Sequence, residues 1–348
     1  MISLSRQPFL FNLTKPMVGL APIDGVTDTA YRQIVDKYSK PSIMFTEFIP
    51  VEGIFRGAVK LLHAFHSHKT NVPVIGQVFG VELNSFYNAF FVVAEMGLQG
   101  IDINMGCPDR SIIKRGGGAA LIQNSIHAQN IIKVIKNAKK DWIEGKTIKE
   151  TQLTSDIKQY VSDYQKNHKI NIQKKSFTIS VKTRLGYLVP ETNNWISQLL
   201  EEEPDLITLH GRTLKQMYTG KADWEEIEQA AHLCKKTNTL IFGNGDIDSM
   251  QQAKEHIDTY KVDGVLVGRA VFGNPWFFSD HNPTLKEKFT VMLEHAQLFV
   301  KYRQNLGIAP LRKHFCWYCN GFPEYRKVRE KLMKANTIHE VKNMVEAI

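Results

Sequence analysis

A chain of 348 residues, 43% of them hydrophobic, is long enough for one large α/β domain with a small appendage. Its net charge of +9 allows a polyanionic partner, and no run approaches the roughly 18 apolar residues that a membrane span needs. Four cysteines, Cys107, Cys234, Cys316 and Cys319, are too few and too unevenly spaced for a disulfide framework. The first ten residues have no long apolar core and no small-residue cleavage site, so a cytoplasmic protein is expected.

In chain order, eight short apolar runs read as strands: Met17–Leu20, Ile43–Glu47, Val74–Gln77, Gly100–Asn104, Thr178–Lys182, Leu206–His210, Leu240–Gly243 and Gly264–Val267. Each is mostly β-branched or apolar, as parallel strands buried on both faces require. Helical stretches such as Ser85–Met96 and Trp224–Lys236 lie between them. Eight strand–helix units in about 270 residues predict an α/β protein of the TIM-barrel, (β/α)8, type, whose active groups sit at the C-terminal strand ends. The residues there are Pro22, Glu47, Gln77, Asn104 with Cys107, Lys182, His210, Asn244 to Asp246, and Gly268 with Arg269.

One interval breaks the rhythm. Lys139–Lys175, between the fourth and fifth strands, holds nine Lys against five acidic residues. It reads as an insertion, partly helical near Ile157–Tyr164, and as a surface elaboration in preference to a substrate-binding arm. After Phe278 the pattern is helical. Phe289, Met292, Leu293, Ala296, Phe299 and Val300 form one apolar face, ended by Gly307 and Pro310. A second helix is expected over Leu311–Asn320, and Thr337 with Glu340 predicts a capping box before the last. From residue 281 to 348 there are twelve Lys and Arg against six Glu, the footprint of a nucleic-acid contact surface.

Several strand ends carry chemistry. The turns Gly243-Asn244-Gly245-Asp246 and Gly268-Arg269-Ala270 offer backbone N–H groups to an anion, and Arg269 adds a fixed cation. Lys182 at the end of a buried strand points into the barrel mouth and needs an anionic partner. Gln77 and His210 supply further hydrogen-bonding groups. Cys107, in a Gly-Cys-Pro turn, can be an inert core thiol, a covalent nucleophile or a proton donor. The last role needs the thiol form. His63, His66 and His68 lack a carboxylate or cysteine to complete a ligand set, so no metal is expected.

Together these residues resemble the tRNA-dihydrouridine synthase family over essentially the whole chain. The matching motifs are Ala21-Pro22-Ile23-Asp24-Gly25-Val26-Thr27-Asp28, Asp102-Ile103-Asn104-Met105-Gly106-Cys107-Pro108, Val181-Lys182-Thr183-Arg184-Leu185-Gly186, His210-Gly211-Arg212-Thr213, Gly243-Asn244-Gly245-Asp246 and Gly268-Arg269-Ala270. In the tail they are Leu311-Arg312-Lys313-His314, Trp317-Tyr318 and Gly321-Phe322-Pro323. The resemblance implies an FMN-binding catalytic barrel over residues 1–280 and a helical tRNA-binding domain over 281–348. It implies FMN held by Pro22, Ile23, Asp24, Gln77, Lys182, His210, Asn244, Gly245, Asp246, Gly268 and Arg269. Cys107 is then the general acid, Asn104 contacts the uracil, and Arg184, Arg212, Arg312, Lys313 and His314 lie on the substrate side. NADPH or NADH is the implied reductant, tRNA the partner, and a monomer is expected. Two rivals remain at this stage. A flavin barrel acting on a free pyrimidine does not call for the basic tail, and a non-catalytic RNA-binding protein does not call for Cys107 and Lys182.

Overall fold

The computed structural model describes residues 9–170, 172, 176–303 and 306–346. Eight strands close into a parallel barrel in sequence order: β1 (Met17–Leu20), β2 (Met44–Pro50), β3 (Val74–Phe79), β4 (Gly100–Met105), β5 (Thr178–Arg184), β6 (Leu206–His210), β7 (Leu240–Asn244) and β8 (Gly264–Val267). Closure comes from β1 on β8, with Met17 opposite Gly264. The strands fall where the apolar runs predict. β2, β3 and β5 run two or three residues further toward the mouth, because a parallel neighbour continues to pair with them, as Pro50 does with Phe79. Along β2 the register shifts between Phe45 and Phe48.

The barrel interior is layered. Met17, Ile43, Phe45, Ile75, Leu206, Phe242 and Leu266 form an apolar floor. Above it lies a hydrogen-bonded polar layer: Gln77 Nε2 donates to Asp102 (2.7 Å), Ser180 Oγ donates to Asp102 (2.6 Å), and Asn244 Nδ2 donates to the Leu266 carbonyl (2.7 Å). Gln77, Asp102, Ser180 and Asn244 thus each have a partner, whereas the buried hydroxyls of Thr178 and Thr208 on the neighbouring strands have none among the described residues.

The insertion is not a passive elaboration. After β2 the chain makes only a short helix, Val51–Phe55, and a 3-10 turn, Val59–Phe65. The helix Ser155–His168, from between β4 and β5, fills that gap in the wall. It buries Ile157, Val161 and Tyr164 in the main core. The Tyr160 hydroxyl lies 2.6 Å from His66 Nε2, and the Ser67 amide donates to the Tyr164 hydroxyl at 3.0 Å. Periodicity locates this helix but not its neighbour across a hundred residues. The histidines before β3 are thus packing groups, His66 on the two tyrosines and His68 on Asp36 (2.9 Å).

Beyond the barrel come helices Leu285–Tyr302, Arg312–Tyr318, Tyr325–Lys334 and Ile338–Glu346. Phe289, Met292, Ala296 and Phe299 are buried as the apolar stripe predicts, against Phe315, Tyr318, Leu332 and Val341. This small core is continuous with the barrel through Ala30 and Ile34 of the helix Thr29–Tyr38. Pro310 lies in a 3-10 turn, Ala309–Leu311, that leads into the helix Arg312–Tyr318. The predicted box at Thr337 is half formed: Thr337 Oγ1 accepts from Glu340 N, but the Glu340 carboxylate caps the Asn336 amide instead.

Candidate active site

The C-terminal strand ends enclose a cleft of about 450 Å³. Thirteen of the predicted residues line it: Pro22, Ile23, Asp24, Asn104, Cys107, Lys182, Arg184, His210, Asn244, Gly245, Asp246, Gly268 and Arg269.

The loop after β4 is pinned by one side chain. Asn104 Oδ1 accepts from the amides of Gly106 (3.0 Å) and Cys107 (2.9 Å), while its Nδ2 donates to Gln77 Oε1 (3.0 Å). One amide proton of Asn104 is left for the cleft. Cys107 is 9% exposed and packs with Phe79 and Ile112. Burial pushes its thiol up, so it keeps its proton at neutral pH.

Lys182 donates to Asn244 Oδ1 at 3.1 Å. Burial and the adjacent Arg184 pull it down to about 8, against the opposing pull of Asp102. It is a cation held at a cost, ready for an anionic group. Asp102 itself, fully buried beneath, is pushed up to about 6 by desolvation although Ser180 and Gln77 hydrogen-bond it. Burial and four surrounding cations keep His210 neutral.

Three arginines organise the rim. Arg184 is turned onto the carbonyls of Gly106 (2.7 Å), Thr213 (3.1 Å) and Met217 (2.9 Å), so it joins the loops after β4 and β6. Arg212, 2% exposed, holds Asp246 Oδ2 (2.6 Å) and the Gly220 carbonyl (2.7 Å). Arg269 meets Asp246 Oδ1 at 2.6 Å from the other side. Burial acts to raise the Asp246 carboxyl, but Arg212, the Ala222 amide and Arg269 outweigh it and keep the group below the usual carboxylate range. Asp246 therefore aims Arg269 along the cleft wall. Gly245 has φ +130°, and a Cβ there would crowd Ala222 and His210. At Gly268 a Cβ would meet only Ile23 Cδ1, at 3.8 Å, so this backbone is open to a ligand. Gly243 is different: its missing side chain makes room for the Trp224 indole.

Other predicted residues lie elsewhere. Gln77 sits under the cleft and works through Asn104. Arg212 stands behind the wall. Arg312 binds the Ala335 carbonyl (3.1 Å) and Asn336 (3.0 Å) inside the helical region. His314, 2% exposed, packs among Tyr31, His295 and Trp317. Lys313 lies against Gly25. The motifs miss Phe48, Tyr218 and Phe272, which also line the cleft. Tyr218 sits over the Arg184 guanidinium (5.7 Å), and Phe272 stacks on Trp317 at 4.1 Å. An exposed ring in the loop after β6 was the available signal for Tyr218.

Fold and cleft define a (β/α)8 protein with its chemistry at the C-terminal strand ends. The chain matches the family described as "Dihydrouridine synthase (Dus)" over residues 19–149 and 153–348. It belongs to that family. A "probable tRNA-dihydrouridine synthase" of Staphylococcus aureus is 29% identical over 354 residues, covering 98% of this chain and 95% of the relative. A "probable tRNA-dihydrouridine synthase 1" of Synechocystis sp. is 28% identical over 340 residues, covering 94% and 84%. Among solved structures, DHODH from Eimeria tenella in complex with ferulenol superposes with a TM-score of 0.50 at 13% identity, over 79% of this chain and 81% of that one, a likeness of fold.

Proposed function

We propose that this protein reduces specific uridines of tRNA to 5,6-dihydrouridine, with residues 1–280 as an FMN-binding catalytic barrel and 281–348 as a tRNA-binding domain. Family membership supports the reaction, and the names of the relatives support the substrate. Bound FMN, itself reduced by NADPH or NADH, would supply the hydride that goes to C6 of the uracil.

The residues of the cleft fit that group. Arg269 and the open backbone at Gly268 suit a phosphate. Lys182, a deep cation whose hydrogen-bond partner is the neutral Asn244 amide, suits the anionic edge of a ring. Pro22, Ile23 and Asp24 flank it, with neutral His210 as a further hydrogen-bonding group.

Cys107 donates the proton to C5 of the uracil, and the remaining Asn104 amide proton hydrogen-bonds the base. A cleft of about 450 Å³ is far too small for a duplex, so the uridine leaves its stack to react. Arg184 holds the rim between two loops. Arg212 and His314, both buried, support the wall and the helical packing and do not touch RNA. Lys313 and the exposed cations of the last helices meet the phosphates.

The observation that carries this reading is the Cys107 thiol on a loop pinned by Asn104, sharing one cleft with Lys182. Cys107→Ala should lower dihydrouridine formation on tRNA by about 100-fold or more, while FMN content and NADPH oxidation by an artificial acceptor persist. Loss of flavin in that variant, or undiminished turnover, would overturn the role.

A further inference from the structure

The loop after β1 is fastened to the helical region as well as to the barrel. Its residues Pro22, Ile23 and Asp24 line the cleft. The next amide, that of Gly25, donates to Glu47 Oε1 at 2.7 Å. Glu47 lies on β2, and its other oxygen accepts from Arg303 at 3.1 Å. Arg303 caps the end of the helix Leu285–Tyr302, far along the chain. The same glycine meets a second helix of that region. It has φ +66°, a Cβ on it would collide with Lys313 Nζ, and its backbone hydrogen-bonds His314. Burial and the nearby Asp28 push the Glu47 carboxyl up, and Arg303 opposes them. The ion pair favours the ionised carboxylate, the stronger acceptor, under the Gly25 amide.

Resting on the flavin reading above, we propose that the Glu47–Arg303 pair is a positioning device that couples the seating of the helical region to the shape of the flavin-facing loop Pro22–Gly25. RNA engaged by the helices and flavin held in the barrel thereby sense one another through one hydrogen-bonded path. Neither Glu47 nor Arg303 is among the residues lining the cleft. They act through Gly25.

The test uses the full chain, stripped of flavin and titrated with FMN by fluorescence quenching. Arg303→Met and Glu47→Gln should each weaken FMN binding by about tenfold. The double variant should be no weaker than either single one, because both break the same path. Arg303→Lys should recover part of the loss. Arg303 is partly solvent-exposed at a helix end, and Glu47, already pushed up to about 7, can take up a proton when that partner is lost, so the melting temperature of the flavin-free protein should fall by no more than a few degrees. Variants that bind FMN like wild type, or losses that add in the double variant, would overturn the coupling alone. A wild-type chain that takes up no FMN would overturn the flavin reading and the coupling together.

Discussion

The thiol that the proposed mechanism uses is held by a relay of amides. Asp102 anchors Gln77, Gln77 anchors Asn104, and Asn104 fixes the amides of Gly106 and Cys107. Gln77 was expected to touch cofactor, yet its contacts run to its neighbours in the barrel. Gln77→Leu should therefore cost about 1–3 kcal/mol of stability in urea unfolding, since it leaves a buried carboxylate oxygen without its donor. Its turnover on tRNA should fall more than its FMN affinity. Lys182 gives a second test. Its folded value, about 8, lies below the ordinary lysine range, so the folded protein binds fewer protons than the unfolded chain between those limits. Stability then rises as pH rises through that window. Lys182→Met should stabilise the flavin-free protein at pH 7 by about 1 kcal/mol, discounted for the water that reaches the cleft, and the difference should shrink above pH 9. The same variant should bind FMN poorly.

Strands and helices were legible to different degrees. All eight strands were readable, because buried parallel strands are short apolar runs with polar ends and need no partner to be recognised. Many of the cleft's polar residues were readable for the same reason, a strand end at the mouth being a fixed address, but its rings Phe48, Tyr218 and Phe272 were not. The helix Ser155–His168 was visible as a helix but not as part of the wall. Its task depends on the shortness of the helix after β2, and so on a contact between distant parts of the chain. The Glu47–Arg303 pair was hidden likewise, since neither residue sits in a motif that names the other. Val161 tests the wall role. It is fully buried, so Val161→Asp should destabilise the fold by about 3 kcal/mol or more in chemical denaturation. At temperatures where the variant stays folded, its tRNA affinity should match wild type.

Over the whole molecule, charge and shape divide the labour. The barrel offers a cleft at its mouth, and the helical region carries an excess of cations. Affinity for tRNA should fall steeply between about 50 and 200 mM salt, and Lys331→Ala should flatten the logarithmic slope by about 1 without altering flavin content. Filter binding measures both. The borrowed wall helix also bears on how the protein is made. A ribosome releases β1, β2 and β3 long before residues 155–168 exist. Until then Leu62, Phe65 and their neighbours lack the helix that packs beside them. Nascent chains paused before that point should therefore bind chaperones more than chains paused after residue 168 has emerged.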